Sequence, residues 1–148
     1  MQTKQANAIR VQAPPETVAG VLSIIVPFTT PKLTKLALER AVAFGKGLKA
    51  RIRLIDAQVV PFPCPLSEPP INRGFLVNRL HDLSQGNGVP VQAELILTRD
   101  RMRALSNALQ PGSIVVIGTT STWFPSAERK LARFLTRADH NVMLFAAR

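Results

Sequence analysis

The chain has 148 residues, enough for one domain with a sizeable core, and its 46% hydrophobic content excludes global disorder. Nineteen Lys and Arg against nine Asp and Glu leave a formal charge of +10. That field draws anions such as nucleotides, nucleic acid or acidic membrane surface, although charges scattered this evenly also fit a basic solubilising surface.

The first stretch, MQTKQANAIRVQAPPETVAG, is polar, carries paired prolines and has no apolar run of the secretory kind. Residues 1–20 are expected as a flexible arm, with residues 21–148 forming the domain. No segment reaches the ~20 apolar residues of a membrane span, so the expected location is the cytoplasm. VLSIIVPF (residues 21–28) is a short β-rich run ended by proline and reads as an interior strand. A helix follows, capped by Thr30, with Pro31 in the first turn where a missing N–H costs nothing. Its apolar face is expected to hold Leu33, Leu36, Ala37, Ala41, Phe44 and Leu48, and Gly45 and Gly47 mark its end.

RIRLIDAQVV (51–60) is the second strand, and the proline-rich stretch 61–70 a loop. A weaker helix spans about residues 71–85, with Phe75, Leu76, Leu80 and Leu83 inward, and GNG at 86–88 stops it. VQAELIL (91–97) is the third strand. A helix starting near Asp100 breaks at Pro111 and Gly112, and SIVVIG is the fourth strand. SAERKLARFLTRA turns Leu131, Phe134 and Leu135 inward and Arg129, Lys130, Arg133 and Arg137 outward, and NVMLFAA closes the chain as a strand.

Strands alternating with helices predict an α/β fold, a five-stranded parallel sheet with helices on both faces. In such sheets ligands sit at the carboxyl ends of the strands where strand order reverses. With the first strand central, that crevice lies between residues 26–30 and 118–121.

IIVPF, then ALERAVAFGKGLKARIRLIDA, then SIVVIGTT and finally ADHNVMLF resemble, in order, the elements of the universal stress protein family. His140 and Asn141 stand where that family often has Cys-Pro. The resemblance covers about residues 21–146 and implies the adenine nucleotide alpha hydrolase-like fold. Many members bind ATP, and many dimerise through the last strand, which implies a homodimer through Val142, Met143, Leu144 and Phe145.

The resemblance also implies which nucleotide contacts are lost. The acidic residue that members carry just past the strand-ending proline, here Pro27, falls at Thr29. After the fourth strand the first glycine is Gly118, Ser121 replaces the second, and the third has no counterpart. A Cβ at 121 penalises a left-handed backbone, while Trp123, Phe124 and Pro125 add bulk and remove a donor. What remains is Ser126 as a helix cap, whose free N–H groups favour an anion, beside the hydroxyls of Thr119, Thr120, Ser121 and Thr122. Any nucleotide would therefore meet Pro27 and Thr29, Asp56 toward a ribose, and Gly118, Thr119, Thr120, Ser121 and Ser126. The alternative is that these hydroxyls only cap strand and helix ends.

Cys64 excludes an internal disulfide, and His81 and His140 lie far apart without metal-ligand spacing. No paired carboxylates, Ser-His-Asp order or intact phosphate loop appears, so no catalytic or metal residue is named and no cofactor is expected, ATP being the possible one. Three readings follow. The first is a non-catalytic stress-response protein acting by dimerisation and partner contact. The second is an ATP binder with an altered phosphate loop. The third, nucleic-acid binding, is disfavoured because aromatics are not interleaved with the basic residues along the chain.

Overall fold

The computed structural model describes residues 8–10, 22–120 and 126–147. Five parallel strands, β2 (Ser23–Pro27), β3 (Arg51–Val59), β4 (Val91–Thr98), β5 (Ile114–Thr119) and β6 (Asn141–Ala146), alternate with four helices: α1 (Pro31–Lys46), α2 (Arg73–Ser84), α3 (Arg101–Ala108) and α4 (Ala127–Arg137). They stand in the order β4-β3-β2-β5-β6. The order reverses between β2 and β5, as a central first strand requires.

The predicted arm needs one amendment. Ala8–Arg10 forms a short strand, β1, antiparallel to β4, with Ile9 opposite Leu97. Three residues are too few for an alternating pattern to be read from sequence. The other residues of the arm lie outside those described. No helix among the described residues is long and apolar enough to cross a membrane.

Two apolar layers fill the space on either side of the sheet. Ile24, Val26, Leu54 and Leu97 pack on Leu38, Leu76 and Leu80 of α1 and α2. On the opposite face Ile25, Ile55 and Ile117 pack on Leu105, Leu131 and Leu135 of α3 and α4. β2 and β5, inside the sheet, are buried on both faces and hence read as continuous apolar runs, whereas β6 at the edge is partly exposed.

The helix faces depart from the expected ones in a consistent way. In α1 the buried stripe is Leu33, Ala37, Leu38, Ala41, Val42 and Gly45, while Leu36 is half-buried and Phe44 and Leu48 are 38% and 48% exposed. Both stripes have helical spacing, and small residues decide between them. Gly45 and Gly47 stand at the end of α1 as expected, and Gly45 also lies on the buried stripe, where a Cβ would be 3.0 Å from Ile24 Cδ1. Phe75 and Phe134, expected inward, are also exposed. Leu76 with Leu80, and Ala132 with Leu131 and Leu135, take the buried places.

Candidate functional site

The join from β2 to α1 forms one wall of the switch-point crevice. Pro27 is buried at the strand end, and the Phe28 amide donates to the Ile55 carbonyl at 2.8 Å. Thr30 caps α1 as predicted, its Oγ1 accepting from the Leu33 amide at 3.2 Å. The Thr29 amide donates to Thr34 Oγ1 at 3.0 Å. Thr29 Oγ1 itself is buried with no hydrogen-bond partner among the described residues. The place where the resemblance implies a carboxylate thus holds an unsatisfied hydroxyl.

The opposite wall is the join from β5 to α4. A Cβ on Gly118 would lie 2.5 Å from the Leu33 carbonyl oxygen. The glycine is therefore required by the approach of the first turn of α1 to β5, whether or not a phosphate is ever held there. Thr119 is buried, with Oγ1 3.3 Å from Ser126 Oγ, and its carbonyl accepts from the Ala147 amide at 2.7 Å. Ser126 caps α4 by accepting from the Arg129 amide at 3.2 Å. Thr120 is exposed. Ser121, with Thr122, Trp123, Phe124 and Pro125, lies outside the described residues.

Asp56 lies within β3 rather than at its end, 2% exposed. Its Oδ2 is 3.3 Å from Arg79 Nη2. The Arg79 guanidinium stacks over the Phe28 ring at 4.1 Å and near the Phe75 ring at 5.4 Å. Burial pushes the Asp56 carboxyl above the usual carboxylate range, with Arg79 and then Arg101 pulling it back. Arg101, from the first turn of α3, donates from Nη2 to the Phe28 carbonyl at 2.7 Å. Burial lowers its pKa from the usual arginine value, with Asp56 and Glu128 holding it up. The acid expected to meet a ribose is thus already engaged by the protein's own cations.

Arg79 and Arg101 were not among the expected site residues. One signal in the sequence pointed indirectly to Arg101, though not to Arg79. Arg101, like Arg73 in α2 and Arg129 in α4, sits in the first turn of its helix, where the helix dipole disfavours a cation. A charge placed against the dipole has a tertiary reason. Arg129, expected on the outer face, is half-buried, with Nε unpartnered among the described residues.

Away from this crevice, a concavity of about 550 Å³ opens between α1 and α2, lined by Lys35, Glu39, Lys46 and Asp82 and closed below by Gly86 and Asn87. It brings together none of the predicted site residues. His140 Nε2 lies 3.2 Å from Ser106 Oγ, joining α3 to the start of β6. His81 is exposed at the end of α2. Among the described residues no group of three potential ligands is placed to hold a metal ion.

No family model matches the chain, and no curated protein matches it. Solved structures do. A protein of the universal stress protein family from Burkholderia pseudomallei superposes with a TM-score of 0.60 at 19% identity, over 88% of this chain and 100% of that one. A universal stress protein crystallised in complex with cAMP gives 0.63 at 11% identity, over 88% and 100%. The universal stress protein UspA from Lactobacillus plantarum gives 0.59 at 13% identity, over 86% and 99%. The chain has the universal stress protein fold.

Proposed function

We propose that this chain is a universal-stress-type regulatory protein that catalyses no reaction, does not hold ATP in the ordinary way, and acts through pairing of two copies and contact with a partner, in the cytoplasm. The observation that carries this reading is the filled crevice. Asp56 is paired with Arg79, Arg101 donates to the Phe28 carbonyl, Thr119 and Ser126 meet each other, and Gly118 lies under the Leu33 carbonyl. A nucleotide would have to displace these contacts before gaining its own.

Pairing is supported by the sheet's edge. Among the described residues β6 is paired only to β5, through Val142, Met143, Leu144 and Phe145 opposite residues 115–118. An unpaired edge is a template for another strand, and Leu144 faces solvent on it.

Native mass spectrometry of the purified protein tests both parts, with a dimer free of nucleotide as the expected result. Millimolar ATP with Mg²⁺ is expected to leave Tm unchanged. A ligand at a hundred times its Kd would stabilise the fold by about 2.7 kcal/mol, so a clear rise would replace this reading with that of an adenine-nucleotide binder.

A further inference from the structure

We propose that the carboxyl rim above β3 and β4 binds single-stranded nucleic acid, with Phe62 and Phe75 stacking on bases and the neighbouring arginines meeting phosphates. Along the chain the phenylalanines and arginines are not interleaved, but folding brings them together. Phe62, in the loop after β3, is 84% exposed, and the Arg99 guanidinium lies 5.7 Å from its ring centre. Phe75, in the first turn of α2, is 55% exposed beside Arg79. Arg73 donates to the Ser67 carbonyl at 3.2 Å, tying the start of α2 to the loop that bears Phe62.

Three features of this rim favour a strand of bases. First, both rings are exposed, and a ring face accepts any base. Second, the cations of the rim are held in place: Arg99 donates to the Val60 carbonyl at 2.8 Å and Arg73 to the Ser67 carbonyl at 3.2 Å. A guanidinium so anchored keeps further N–H groups for phosphate oxygens. Third, the charge is complementary: Arg73 and Arg99 stand on this rim, held by backbone carbonyls, on a chain of net charge +10. A duplex keeps its base faces stacked internally and would gain only the charge term. The proposal does not depend on pairing through β6.

Fluorescence anisotropy of labelled oligo-dT and oligo-U of about 20 nucleotides, at about 50 and 200 mM salt, tests it on the full chain. The wild type is expected to bind both and to prefer them to a duplex of the same length. Phe62→Ala and Phe75→Ala should each weaken binding about tenfold, and Phe62→Leu, which keeps the apolar bulk, should fall with Phe62→Ala. Phe44→Ala, on α1, should bind as the wild type does. The proposal is overturned by absence of binding at the lower salt, by affinity unchanged in both alanine variants, or by a duplex or polyglutamate binding as tightly as the single strand.

Discussion

Two neighbouring stretches of the same sheet edge are built in opposite ways. Between β2 and β5 the polar groups largely turn on one another and glycine lets helix and strand approach to contact distance. Above β3 and β4, a few residues along, aromatic rings stand in solvent with guanidinium groups beside them. In this fold class the first stretch is where a ligand is expected. Here that stretch contributes to stability, and the second has surface to offer a partner. Substitutions in the two stretches should therefore differ in kind.

The largest effect is expected at Gly118→Ala. The new Cβ would meet the Leu33 carbonyl at 2.5 Å, backbone that yields only if α1 shifts, so the loss should be ~3 kcal/mol by urea denaturation. An unchanged midpoint would mean that the close approach is not needed. Arg79→Met comes next, at about 3 kcal/mol near neutral pH, because it leaves a buried carboxylate short of its partner.

That second loss should depend on pH. The folded pKa of Asp56 is raised above its unfolded value. Between the two values the native state binds the extra proton, so stability falls as pH rises through the folded pKa. Removing Arg79 raises that pKa further. The gap between wild type and variant should narrow as pH falls toward the ordinary carboxylate range, where Asp56 is neutral in both. A gap independent of pH would assign the loss to lost stacking on Phe28 instead.

Ser126→Ala, which removes the cap of α4, should cost about 1 kcal/mol. Phe62→Ala should change stability by no more than about 0.5 kcal/mol, since its ring is exposed. A large loss there would erase the contrast between the two stretches.

Much of this architecture was legible locally. Thr30, Asp100 and Ser126 each cap a helix, Pro31 opens one, and the apolar runs are strands. Such signals work because a cap or a period involves residues only a few positions apart. The site was less legible. Gly118 was noticed as part of a phosphate turn, but its packing role was not readable: its neighbour Leu33 is distant in sequence, and only the packed fold brings the two together. Asp56 was singled out as a lone acid, while its partner Arg79 stands 23 positions on.

The sequence by itself determined the alternation of elements and the approximate ends of the helices; that β2 lies in the middle of the sheet was a condition the fold met. Tertiary structure alone decided which of two equally spaced stripes on α1 turned inward, that Ile9 would extend the sheet beside Leu97, and that Arg101 would reach the carbonyl of Phe28, 73 positions away. The first set follows from backbone conformation and nearest neighbours. The second follows from how closely particular surfaces approach, which depends on the Cβ atoms absent at Gly45 and Gly118 and on the desolvation of charges that come together only in the folded chain.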